Sequence, residues 1–137
     1  MQIYEKVLLA ILLIALVDAS YMVLVYFQPA ALSCPASGLI DCSAVLQSVY
    51  AKVFGVIPLS LFGLLWAIVA LVFFRYARNT EMAMVWYLLG LGGVAYSVAS
   101  MYALGKICEY CSILDISIIA SAMLLYVVQM GHRRASA

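Results

Sequence analysis

The chain has 137 residues, 69% of them hydrophobic and 9% charged, with a mean hydropathy of +1.16. That leaves too little polar surface to coat a water-soluble globule. A formal net charge of +1 with no long basic run excludes nucleic-acid binding, which rests on clustered Lys and Arg. A bilayer is the solvent that fits, and these residues leave no length for a soluble domain beside membrane spans.

About 20 apolar helical residues cross a hydrocarbon core of roughly 30 Å. Four runs are long enough: 7–27, 57–74, 82–104 and 112–130. Each is expected to be helical, because the bilayer offers no water to unpaired backbone groups. The reading is an all-α integral membrane protein, a four-transmembrane-helix bundle forming one domain over 1–137.

The first run carries Asp18 in mid-span. Its end, Ala31-Leu32-Ser33-Cys34, faintly suggests a lipoprotein processing site, but the run exceeds the ~7–15-residue core of a signal peptide and reads as a span. The loop that follows holds Cys34 and Cys42. From Cys42 onward Val45, Leu46, Val49, Tyr50, Val53 and Phe54 recur every three to four positions, the stripe of a short amphipathic interfacial helix. Asp41 is its expected N-cap, with Gly55 and then Pro58 as its stop.

The second and third runs are uncharged. In the third, Gly90, Gly92, Gly93, Ser97 and Ser100 are small enough to let helix backbones approach closely. Cys108-Glu109-Tyr110-Cys111 leads directly into the fourth, which carries Asp115 one turn beyond Cys111. His132, in the tail, reads as a solvated residue.

Lys6, Arg75, Arg78, Arg133 and Arg134 flank one end of the spans and only Lys52 and Lys106 the other. This bias favours cytoplasmic termini in a plasma (inner) membrane. All four cysteines then fall on the extracytoplasmic side, where disulfides persist.

Two thiols spaced as C-x-x-C share one face of a turn, and a helix N-terminus stabilises the thiolate that performs exchange. Four cysteines allow three connectivities. A relay favours Cys34 with Cys42 and Cys108 with Cys111 as resting pairs, and Cys34 with Cys108 as the transient bridge. Competing readings are a structural zinc held by four thiolates, although no histidine lies nearby, two static disulfides, and four unrelated free thiols. Asp18 supports a rival from another class, a four-helix small-molecule transporter coupled to protons through that carboxyl. Its other expected role is a hydrogen bond to a hydroxyl such as Ser97 or Ser100.

The Cys34–Cys42 loop, then Ser48, then Gly55-Val56-Ile57-Pro58-Leu59-Ser60-Leu61-Phe62-Gly63, then Cys108-Glu109-Tyr110-Cys111, together resemble the vitamin K epoxide reductase (VKOR) family and its microbial homologues across all four spans. In DsbB, another four-helix thiol oxidase that reduces quinone, the C-x-x-C pair comes first. The resemblance implies a quinone-dependent thiol/disulfide oxidoreductase supporting disulfide-bond formation, with a ubiquinone- or menaquinone-type acceptor and no metal. Many microbial members carry a fused thioredoxin-like domain. None is seen in this sequence, which implies a separate thioredoxin-like (DsbA-like) partner.

Carried over by residue, the resemblance places Cys111 nearest the quinone with Cys108 as its disulfide partner. Cys34 attacks that bridge, and Cys42 exchanges with the partner protein. Ser48 matches the family's serine or threonine near the active cysteine. Apart from the resemblance, Tyr21, Tyr26, Phe27, Tyr50, Phe54 and Phe62 lie near the outer half, where most aromatics act as interfacial anchors; of these Phe62 is counted as a quinone contact. Leu59 and Asp115 align with two polar residues that hydrogen-bond the naphthoquinone in the vertebrate enzymes. Leucine cannot donate a hydrogen bond, which moves the expected substrate from the epoxide toward an ordinary quinone. From its place one turn beyond Cys111, Asp115 is expected either to be protonated and donate a hydrogen bond, or a proton, to a quinone oxygen, or to be a carboxyl satisfied by a neighbouring helix or by water near the membrane edge.

Overall fold

In a computed structural model, which describes residues 2–33, 38–76 and 80–137, four long helices form an up-and-down bundle. They are α1 (Ile3–Phe27), α3 (Leu59–Tyr76), α4 (Thr80–Leu104) and α5 (Glu109–Ala135). All four are long and apolar enough to cross a membrane. Their outward sides stay apolar, with Val17, Leu88 and Val127 all more than half exposed, as expected of faces turned to lipid rather than water.

The ends of these helices follow local chemistry. Gln2 opens α1 with a capping box, its amide donating to Glu5 Oε2 at 3.0 Å. This satisfies a donor that the first helical turn leaves free. At the far end of α5, His132, Arg133 and Arg134 occupy the last turn, where cationic side chains meet the negative end of the helix dipole.

Packing centres on α1, whose Leu8, Leu12, Ala15, Ala19, Met22 and Val25 are buried at helical spacing. It packs most extensively against α3 and α5. Ala15 and Ala19 on α1, with Ala67 and Ala70 on α3, are at most 1% exposed, so short side chains bring these backbones together.

Contact between α3 and α4 rests on a reciprocal clasp. The Trp66 indole N–H donates to the Trp86 carbonyl at 3.2 Å, and the Trp86 indole to the Trp66 carbonyl at 3.1 Å. Gly90 makes room for it, since a Cβ there would collide with the Trp66 indole, 2.8 Å from Cε2. Of the α4 glycines read as packing residues, only Gly90 acts so. A Cβ on Gly92 or Gly93 would meet no atom within 4 Å: Gly92 is exposed on the bundle surface, and Gly93 lines a cavity.

The outer loop differs in part from its sequence pattern. A short amphipathic helix, α2 (Cys42–Leu46), begins as expected with Asp41 Oδ1 accepting from the Ala44 amide at 3.0 Å, and it buries Cys42, Val45 and Leu46. It ends eight residues before the stripe does. A 3-10 turn at Val49–Ala51 follows, then an antiparallel pair, β1 (Lys52–Val53) with β2 (Ile57–Pro58). Phe54 (φ 55°) and Gly55 (φ 75°) adopt left-handed conformations at its tip, which no helix can include. The second span consequently starts at Leu59, with 57–58 in the strand rather than in the helix.

Replacing Gly90 with Ala should destabilise the bundle by about 1–3 kcal/mol, the usual cost of overpacking, whereas Gly92→Ala should be close to neutral. Thermal unfolding of both variants in the same detergent checks the contrast.

Candidate active site

Gly105 (φ 63°) ends α4 in a left-handed conformation that only glycine adopts freely, and the Lys106 amide bonds back to the Met101 carbonyl at 3.2 Å. This tight turn leaves three residues before α5. Cys108 is the N-cap of α5, and its Sγ accepts from the Cys111 amide at 3.3 Å. Cys108 is fully buried, its own amide pointing at Met101 Sδ, 3.4 Å away. Cys111, one turn on and half-buried, has its sulfur 3.8 Å from Met22 Sδ on α1.

The two thiols are free, so the resting bridge expected between them is absent and the pair is in its dithiol form. The geometry suits this form: the Cys108 sulfur acts as the helix cap, a role that otherwise falls to a side-chain oxygen. Hydrogen bonding from the Cys111 thiol holds the Cys108 thiol below its ordinary value, with help from the Cys111 and Tyr110 amides and against the effect of burial. Cys42 is disulfide-bonded and fully buried. Cys34 lies outside the described residues.

The outer loop is tied to this turn on both flanks. On one side Ile40 and Ile107 form a parallel bridge, with the Ile107 amide bonded to Leu39 at 2.7 Å and the Asp41 amide to Ile107 at 3.1 Å. Lys106 Nζ donates to the Gly38 carbonyl at 2.8 Å. Cys42 is thereby held in the segment alongside the C-x-x-C turn. On the other side the Tyr110 hydroxyl donates to Ser33 O at 2.5 Å, while the Tyr21 hydroxyl donates to Ala31 O and accepts from the Ser33 amide, both at 2.9 Å. The two phenol rings lie 4.8 Å apart. Sequence reasoning had no signal for this clamp, because its acceptors are backbone carbonyls set by loop conformation.

Beneath the loop is a cavity of about 470 Å³, lined mostly by apolar side chains and within the range of small-molecule sites. Cys111 and Asp115 lie on its α5 wall, Leu59, Phe62 and Trp66 on its α3 wall, and Gly93 and Ser97 on its α4 wall, while Ser48 and Tyr50 come from the loop. The structure thus brings together Cys111, Ser48, Leu59, Phe62 and Asp115. Cys108 does not line the cavity. Ser97 Oγ donates to Asp115 Oδ2 at 2.8 Å, and Ser48 Oγ to Val45 O at 2.8 Å. The expected pairing of Asp18 with Ser97 or Ser100 does not occur, because Ser97 serves Asp115 and Ser100 donates to the Tyr96 carbonyl on its own helix.

A family model described as Vitamin K epoxide reductase family (VKOR) matches residues 6–128. The chain belongs to this family. In comparisons with curated proteins and with solved structures, nothing matches it. As a VKOR-family member it is, in general terms, a membrane thiol/quinone oxidoreductase, and the matched residues include α3 and α4 whole, most of α1 and α5, and all four cysteines.

The hydrogen bond between the two thiols predicts a shift that can be read by ultraviolet absorbance of thiolate. In the reduced protein Cys108 should ionise below the ordinary cysteine value of about 8.5. Replacing Cys111 with Ala removes the main stabilising donor and leaves the burial, so the Cys108 thiolate should then appear only at higher pH.

Proposed function

We propose that this chain oxidises a separate thioredoxin-like (DsbA-like) protein by a disulfide relay and passes the electrons to a quinone of the ubiquinone or menaquinone type, supporting disulfide-bond formation outside the cytoplasm. The observation that carries this reading is the division of the C-x-x-C pair. Cys111 stands on the cavity wall beside Asp115, whereas Cys108 is buried outside the cavity, in the turn to which the cysteine-bearing loop is tied. One sulfur faces an acceptor site and the other faces the incoming relay.

Each cysteine then has a task. The partner's thiolate attacks Cys42, releasing Cys34, and Cys34 attacks Cys108, freeing the Cys111 thiolate. The partner's second thiolate then releases Cys42, which attacks Cys34 and restores the Cys34–Cys42 bridge, leaving Cys108 and Cys111 as a dithiol with two electrons for the quinone. A quinone supplies the electron-accepting chemistry, and the residues present fit one. Phe62, Trp66 and Leu59 offer flat or apolar surface, and Asp115, oriented by Ser97, presents a carboxyl able to hydrogen-bond a ring oxygen. Leu59 has no donor for a second oxygen, which favours simple quinone reduction over epoxide chemistry. With both termini cytoplasmic, the loop and the C-x-x-C turn face the oxidising side. A transporter coupled through Asp18 is disfavoured because Asp18 does not line the cavity.

Protein purified with its thiols trapped, then reduced and mixed with ubiquinone and menaquinone analogues, tests the relay. Wild type should reoxidise and Cys111→Ala should not. Reduced wild type that stays reduced with every analogue overturns the reading.

Gly93 gives a second test, since it lines the cavity and a Cβ added there would meet no atom within 4 Å. Gly93→Leu should raise KM for the quinone about tenfold, roughly 1.4 kcal/mol, while the rate of thiol exchange at Cys42 stays at the wild-type value.

A further inference from the structure

Four sulfur atoms gather at the start of α5, and the relay uses only two of them. Cys111 Sγ lies 3.8 Å from the thioether sulfur of Met22 on α1. Cys108 Sγ is held over the same turn by the Cys111 amide at 3.3 Å, and at C-x-x-C spacing two sulfurs are near enough to join in a disulfide. The fourth, Met101 Sδ, faces the Cys108 amide at 3.4 Å and is engaged there. Cys111 is common to the remaining contacts, which puts two thiol sulfurs and one thioether sulfur in a single cluster spanning α1 and α5.

Packing alone accounts for a buried methionine, and Met22 is 2% exposed. Packing does not require that its sulfur, rather than a methylene or the terminal methyl, meet the thiol. Met22 and Cys111 also both line the cavity, so the cluster is open to a small solute from that side.

Among the described residues no three His, Cys, Asp or Glu side chains are grouped to hold a metal ion, so zinc and the hard cations, which use those ligands, have no donor set here. Thioether sulfur changes this only for a soft ion, since thiolates and thioethers are the ligands that select Cu(I). The scale agrees. With metal–sulfur bonds of about 2.3 Å, as in zinc thiolates, a three-coordinate ion holds its sulfurs about 4 Å apart, and Cys111 and Met22 already stand at 3.8 Å.

We propose that the reduced C-x-x-C pair and Met22 form a binding site for a soft monovalent cation of the Cu(I) type, with Cys108 Sγ, Cys111 Sγ and Met22 Sδ as its ligands. Each cysteine that binds loses its thiol proton to solvent and forms one sulfur–metal bond, and no electron moves. The site exists only in the dithiol form, because a Cys108–Cys111 disulfide has no thiolate to offer. It goes beyond the thiol:quinone reading and draws on the same two sulfurs, so an ion in place keeps the pair from closing its bridge.

The test uses the full chain in detergent with Cys34→Ser and Cys42→Ser, which leaves the C-x-x-C pair as its only thiols. This parent protein is reduced, freed of reductant and titrated anaerobically with Cu(I) against bicinchoninate, a chromophoric competitor, and the ligand shell is read by X-ray absorption at the copper edge. One ion per chain on three sulfurs is expected. Met22→Leu, a volume-conserving change, should leave two sulfurs and weaken binding by at least the ~10-fold that loss of even an outer-shell partner costs. The chain oxidised to its disulfide should take up no ion. No uptake by the reduced chain, a two-sulfur shell in the parent protein, an affinity that Met22→Leu leaves unchanged, or uptake by the oxidised chain overturns the proposal. Should Met22→Leu fail to accumulate, parent protein carrying Met101→Leu and grown with selenomethionine decides instead: selenium in the copper shell supports the proposal, and a shell of sulfur alone overturns it. None of these outcomes depends on electron transfer to a quinone, so a failure of the thiol:quinone reading is seen separately, in the reoxidation of reduced wild type.

Discussion

The hydrogen bond from the Cys111 amide to the Cys108 sulfur closes the first turn of α5, and the arrangement of the site follows from it. A capping residue lies outside the helix with extended backbone, and Cys108 has φ −98° and ψ 116°. Its side chain therefore turns back over the helix start instead of projecting from a helical face. Cys111, inside the helix, projects sideways toward α1 and the cavity. One local bond thus gives two cysteines three residues apart different neighbours, and with them different chemistry.

The rest of the fold maintains that difference. Membrane helices gain little from hydrophobic burial against one another, so close packing and internal hydrogen bonds hold them. On the α1–α3 side alanines supply the close packing, and on the α3–α4 side the indole–carbonyl clasp supplies the bonds. Both tryptophans of the clasp also line the cavity under the loop. The outer loop is fastened to the same turn by the Ile40–Ile107 bridge, by Lys106 and by the two tyrosines, so the segment bearing Cys42 stays beside α5 and, through Val45 and Leu46, over the cavity.

Much of this was legible along the chain. Four apolar runs, the Asp41 cap, the C-x-x-C at a helix start and the ordered set of motifs resembling the VKOR family are local features, and local features survive in a sequence. The end of α2 was less legible, because the stripe from Val45 to Phe54 has helical spacing while Phe54 and Gly55 take left-handed backbone angles that close a hairpin. Apolar residues at a membrane edge can satisfy either pattern, and the strand pairing that chooses between them is not local.

By itself, then, the sequence determined the solvent, the number of spans, the cysteine order and the family, since each depends on residue type and spacing. Only the tertiary structure decided which glycine packs and which lines a cavity, which serine serves Asp115, and that Asp18 is left with an unpartnered oxygen. The physical reason is the same in each case. A helix of uniform hydrophobicity does not announce which side meets protein and which meets lipid, so side-chain partners across the bundle are fixed by how the helices rotate against one another.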